Sequence, residues 1–305
     1  MTASPDHTPV EVVEYTDPLC PWAWGSEPVF RGLREALGGR VRWRRVYCIL
    51  FDHDDDPAPD PAAETAWYTR YVEDISGHTR APRPYRLSRV AASSWPASLV
   101  AKAAEAQGPE VAERVLRRLR ESVFVLGEPA DSAALALGVV QGVPGLDVDR
   151  LARDAASDDV LHKVAEDRAE ARRPVRAVLS VRAASPHPGG AKETPDGGHR
   201  YALPTLLVRS AAGVRAVPGW RPYEEYAAAL DALGAGLLEH SARPSAETAL
   251  TRHRSLTEPE LTLLTDGGQS PGTAVRIDTA GGPLWLHPEE AVTHPVTRSG
   301  PGAAR

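Results

Sequence analysis

The chain has 305 residues, of which 42% are hydrophobic and 25% charged, and its formal net charge is −6. This is the make-up of a globular protein with a substantial buried core, and the negative balance offers no field for nucleic acid or an anionic membrane. No apolar run nears the roughly 20 residues of a membrane span, and residues 1–17 lack the cationic start and apolar stretch of a signal peptide, so a cytoplasmic protein is expected.

In chain order, VEVVEYT at 10–16 is β-branched and continuous enough for a buried parallel strand. Helical sequence runs from Pro21 to Leu37 and stops at Gly38-Gly39. VRWRRVYCILF at 41–51 is a second strand, so the first 50 residues form a right-handed βαβ unit. An acidic, proline-rich loop at 52–64 follows, and helical text continues to about residue 173. Within it Ser94 is a candidate N-cap, and Val111, Val115, Leu116, Leu119 and Val123 share one helix face. AASPHPGGAKETPDGGHR at 183–200 reads as a mobile surface loop. Residues 200–210 and 213–220 suit a hairpin, and 221–240 an amphipathic helix. The tail reads as two short helices, with Thr257 and Glu260 at capping-box spacing, then a hairpin around Gly281-Gly282. The final ten residues are expected to fray. The tail's helix–helix–hairpin order has one small basic cluster, TRHRS, too little for DNA, so a docking or dimer-forming role is expected.

Two cysteines, Cys20 and Cys48, are the whole complement. In a reducing cytosol they are inert or they do chemistry. Cys20 falls at a strand-to-helix junction in DPLCPWAW, where unsatisfied helix N–H groups favour a thiolate. Pro21 suits the first turn. Where a dithiol motif would carry its second sulfur the chain has Ala23. Cys48 ends the second strand on the same sheet edge, either as a core residue or as a resolving thiol. Asp17-Pro18 reads as an Asx-type turn rather than a base, and Glu27 as a solvated acid near the first turn of the helix. Trp22 and Trp24 either wall an apolar groove or divide between motif and core. The run Asp52, His53, Asp54, Asp55, Asp56 lacks the glycine and terminal glutamate of an EF-hand, and the ten histidines have no ligand spacing, so no metal is expected.

The order of these features resembles the DsbA-like family of thiol–disulfide oxidoreductases, in particular its cytoplasmic C-P-W-C branch. The resemblance rests on YTDPLCPWAW, on Pro28 five residues past the second motif position, and on ALPTLLV, which puts Pro204 before a strand. SVFVLGEPADSAALALG resembles the family's helical domain. The match spans about 10–235 and leaves the tail uncovered. It implies an α/β thioredoxin-like fold, with a first half at 10–60, a helical insertion at 61–182, a second half at 183–240 and a small C-terminal helix–hairpin module at 245–295. It also implies Cys20 as nucleophile, Pro21, Trp22, Leu203, Pro204 and Thr205 as the substrate-binding set with Pro204 cis, and Cys48 as candidate resolving thiol. Leu203 would offer its backbone to an extended substrate by strand addition.

Three functions stay open: a monothiol disulfide oxidoreductase or isomerase; a thiol-dependent isomerase or transferase resembling 2-hydroxychromene-2-carboxylate isomerase; and a non-catalytic client-binding adapter. No tightly bound cofactor is expected. A low-molecular-weight thiol, glutathione or mycothiol, would serve as co-substrate. The partners are a protein or small-molecule thiol or disulfide and a second copy in a homodimer, without nucleic acid or membrane.

Overall fold

The computed structural model describes residues 10–52, 58–182, 185–187, 189–234, 236–238 and 242–298. Residues 1–9 of the N-terminal stretch read against signal peptides, residues 53–57 of the acidic loop and the last seven of the ten residues expected to fray lie outside them. The chain begins with β1 (Glu11–Thr16), α1 (Pro21–Leu37) and β2 (Arg42–Tyr47). Then come α2 (Pro61–Thr79), α3 (Trp95–Ala104), α4 (Pro109–Phe124), α5 (Ala133–Val139), α6 (Val148–Ala155), α7 (Asp158–Ala171) and α8 (Arg176–Leu179). Strands return as β3 (Ala191–Glu193), β4 (His199–Tyr201), β5 (Thr205–Ser210) and β6 (Gly213–Pro218), followed by α9 (Tyr223–Asp231). The tail is α10 (Ala246–His253), β7 (Ser255–Thr257), α11 (Glu258–Leu264), β8 (Val275–Ile277), β9 (Leu284–Leu286), α12 (Pro288–Thr293) and α13 (Pro295–Arg298).

The main sheet has the order β2-β1-β5-β6, with β1 parallel to β2 and antiparallel to β5. Alternation along β1 sends Val12 to one face and Val13 and Tyr15 to the other. On the first face α1 and α9 cover the sheet through Phe30, Leu33, Leu37, Tyr226 and Leu230. On the second, Val13, Val46, Cys48 and Leu207 meet Ile75, Ala171 and Val178 from the helical block. This is the thioredoxin-like α/β architecture interrupted by helices. α1 runs over its expected bounds, contains Pro28, and ends on Gly38 in the left-handed region at φ 52°.

The apolar face expected on α4 is buried, but so are Arg117, Arg118, Arg120 and Glu121 on its remaining surface. Ion pairs, not solvent, accommodate those charges. Ser94 is the N-cap of α3, yet its hydroxyl caps nothing; it donates to Asp17 at 3.0 Å.

The stretch at 183–200 departs from the mobile loop expected of it. It carries the β3–β4 hairpin, with Lys192 opposite Arg200, and His187 is buried. Three-residue polar strands leave no hydrophobic alternation to read, so only their tertiary contacts reveal them. Gly190 shows how close those contacts are: a Cβ there would stand 2.3 Å from the Val178 carbonyl oxygen.

In the tail, β7, β9 and β8 form a small antiparallel sheet, and Thr257 and Glu260 close the expected capping box. The module is seated on the body of its own chain. Glu260 receives Arg31 and Arg117, each at 2.9 Å, and His294 Nε2 meets Glu121 at 2.9 Å. The Ala280 N–H donates to the Arg83 carbonyl.

Candidate functional site

Cys20 is the N-cap of α1, with extended backbone (φ −88°, ψ 119°), and its carbonyl accepts from Trp24 N at 3.0 Å to close the first turn. Pro21 takes the first helical position, where no N–H is needed. Asp17 makes the expected Asx turn: its Oδ1 accepts from Leu19 N at 2.8 Å. Asp17 Oδ2 also receives Leu50 N at 2.7 Å, tying the β1–α1 junction to the chain beyond β2. The carboxyl is fully buried, and burial pushes it up to about 6.

The electrostatics of Cys20 differ from the expectation of a favoured thiolate. Its thiol is 3% exposed, and burial pushes it up to about 11. The amides of Ala23 and Trp22 pull the other way, as the helix terminus should, and so does Arg200, while Asp17 adds to the rise. Desolvation outweighs the helix N-terminus at this depth.

Glu27, expected as a solvated acid, is buried a full turn beyond the N-terminus. It pairs with Arg34 and Arg120 at 2.5 Å each, and those cations hold it well below the usual carboxylate range against the cost of burial. The two tryptophans divide. Trp22 lines a cavity and donates to the Tyr71 hydroxyl at 2.9 Å, whereas Trp24 stacks on Phe124 and donates to the Pro82 carbonyl in the core.

The cavity has a volume of about 640 Å³ and gathers Cys20, Pro21, Trp22 and Leu203 from among the expected site residues. The Leu203–Pro204 peptide is cis. Pro204, Thr205 and Cys48 stand behind the lining. The Pro204 carbonyl accepts from Gly219 N at 2.7 Å, and the buried Thr205 hydroxyl donates to Ala202 O at 2.6 Å. Cys48 is fully buried with its Sγ 3.4 Å from the Val46 carbonyl, and both cysteines are unbridged.

Sequence reasoning missed three parts of this site, His187, an aromatic wall and a pair of cations. His187 Nε2 lies 3.0 Å from the Leu203 carbonyl oxygen, which can only accept, so Nε2 carries the proton. Its ring meets Trp22 edge-on at 5.2 Å, and burial lowers it to about 4, keeping it neutral. The carbonyl of the strand-addition edge expected at Leu203 therefore already has one donor, His187. Trp67, Tyr68 and Tyr71 of α2 form an aromatic wall, with Trp67 and Tyr71 stacked at 5.5 Å; their i, i+1, i+4 spacing in AWYTRY was the available signal. Lys192 and Arg200 reach the cavity from the hairpin, and Asp52 reaches it from beyond β2. Among the described residues no cluster of His, Cys, Asp and Glu could hold a metal ion, and no helix is long and apolar enough to cross a membrane.

With this geometry, the comparisons with known proteins agree on the fold. A family model described as thioredoxin matches residues 14–173. A ClpXP adapter protein SpxH from Shouchella clausii is 32% identical over 157 residues, and the match covers 51% of each chain; the chain spans about half the length of the curated relatives it matches. A proposed protein disulfide isomerase from Nitrosomonas europaea superposes with a TM-score of 0.57 at 15% identity, covering 73% of this chain and 96% of the other. A probable DsbA oxidoreductase from Streptomyces coelicolor does so with a TM-score of 0.51 at 17% identity, covering 77% and 94%.

Proposed function

Since this chain belongs to the thioredoxin family, we propose that it is a DsbA-like thiol–disulfide oxidoreductase or isomerase working through one cysteine, Cys20. The reading rests on one juxtaposition: a thiol at the N-cap of α1 that opens into a cavity shared with Leu203 of a cis X–Pro peptide. Cys20 loses its proton to solvent, and its thiolate attacks a disulfide RS–SR. A Cys20–S–SR bond forms, the RS–SR bond breaks, and RS⁻ leaves and is protonated. Ala23 supplies no second sulfur, so an external thiol R′SH attacks the mixed disulfide. That step returns Cys20 and releases RS–SR′. The external thiol is a low-molecular-weight co-substrate, and monothiol exchange of this kind suits isomerisation and thiol capture better than net oxidation.

Intact-mass analysis after exposure to an oxidised small thiol tests the reading. The expected result is one mixed disulfide, removable by free thiol and absent in Cys20→Ser. Loss of two hydrogens with Cys20 joined to Cys48 would replace the monothiol cycle by a dithiol one, and absence of any adduct up to about pH 10 would overturn the redox reading.

A second reading, a client-binding adapter that needs no sulfur chemistry, is favoured by the burial that raises the Cys20 thiol to about 11. The relatives that match over about half of each chain are ClpXP adapter proteins, in keeping with it. In that case Cys20→Ser leaves client binding intact.

A further inference from the structure

We propose that Lys192 and Arg200 form an anion subsite of the Cys20 cavity, so that the small molecule it takes carries a carboxylate. This rests on the reading of Cys20 as a thiol-exchange site and names the class of co-substrate.

The two cations face each other across the β3–β4 ladder, an arrangement in which like charges repel. Both line the cavity with Cys20. Neither has an ion pair among the described residues; the Arg200 guanidinium makes a single hydrogen bond, to the Tyr201 carbonyl. Partial burial, with repulsion from Arg200 and Arg182, already holds the Lys192 ammonium below its ordinary range. An anion between the two would relieve both.

The acids that line the same space do not fill that role. Asp52 is held by Arg168 and Arg172 at 2.6 and 2.7 Å, and Glu64 is exposed in the first turn of α2. The remaining polar offer is also a donor. His187 has taken the Leu203 carbonyl, and the Leu203 N–H has no acceptor among the described residues. A polypeptide strand pairs through a donor and an acceptor at each such position, and here the donor is open while the acceptor is already engaged by His187. A small ligand with a carboxylate for the cations and an amide oxygen for Leu203 fits what is left, with its apolar part against Trp67 and Tyr71. Peptide thiols of the glutathione type have that chemistry, and neutral sugar-based thiols lack the carboxylate.

Calorimetric titration of the full chain with S-methylglutathione and with its diethyl ester tests this without using Cys20 chemistry. Charge-assisted contacts to two cations predict that the acid binds at least about tenfold tighter than the ester at low salt, with the gap shrinking as salt is added. Lys192→Gln with Arg200→Gln should abolish the gap while the unfolding midpoint stays near that of the parent chain; Lys192→Glu alone, which sets a carboxylate opposite Arg200, should abolish it too. Equal binding of acid and ester, or binding of neither, overturns the subsite. Because the probe is a thioether, a failed adduct at Cys20 with a retained acid preference would sink the exchange reading and leave the anion subsite standing.

Discussion

At the scale of the residue, Cys20 shows two opposed effects resolved by depth. The helix N-terminus points its amides at the sulfur, and burial still wins, at about 11. A thiol at that value is almost wholly protonated near neutrality. The rate of mixed-disulfide formation is therefore expected to climb about tenfold per pH unit from 7 to 10, following the thiolate fraction. A plateau reached by pH 8 in stopped-flow or mass kinetics would refute it. Asp17 contributes to the rise, so Asp17→Asn should lower the thiol and speed the reaction several-fold at pH 8. The same carboxyl has a stability signature. Its folded value, about 6, stands above the ordinary 3.8, so between those values the folded state holds the proton more tightly than the unfolded chain. Its contribution to stability is then full below about pH 4 and is lost as pH rises to about 6. Denaturation midpoints across pH 4–7 should show that decline in the parent chain and not in Asp17→Asn.

At the scale of the element, close approach decides what the helices tolerate. Gly25 of α1 faces Thr79 of α2, and a Cβ at Gly25 would stand 2.5 Å from the Thr79 side chain. The contact holds α2, and with it the aromatic wall of the cavity, against the helix that carries Cys20. Gly25→Ala is expected to cost about 1–3 kcal/mol through overpacking, measured by urea unfolding; a variant as stable as the parent would show that α2 shifts without penalty. The helix itself was legible. Pro21 and Gly38-Gly39 mark its start and stop in the sequence alone. The β3–β4 hairpin was not, because two three-residue polar strands carry no periodic signal, and the cavity's cations and His187 came into view only with it.

For the whole molecule, the C-terminal module is bonded to the body by buried charge. Glu260 closes its own capping box through Thr257 and also receives Arg31 from α1 and Arg117 from α4. Glu260→Gln would remove one shared counter-charge from two buried guanidinium groups, leaving Arg117 with Glu121 and Arg31 with Glu27, at a cost of about 1–3 kcal/mol. Because the network spans both parts, the variant should still unfold in one transition at a lower midpoint. Two separate transitions in calorimetry would show that the module folds on its own.

The order of residues alone specifies the βαβ start, the site of Cys20 and the absent second sulfur at Ala23, the proline before β5 and the capping box of the tail. Each of these is written in neighbouring residues, through periodicity, turn chemistry or helix capping. The state of those groups comes from folding: burial overrides the helix terminus at Cys20, Glu27 is a buried ion-pair partner, His187 bonds the Leu203 carbonyl, and Lys192 and Arg200 face each other across one ladder. Those outcomes depend on desolvation and on contacts between residues far apart in the chain, and neither is encoded in any local stretch of it.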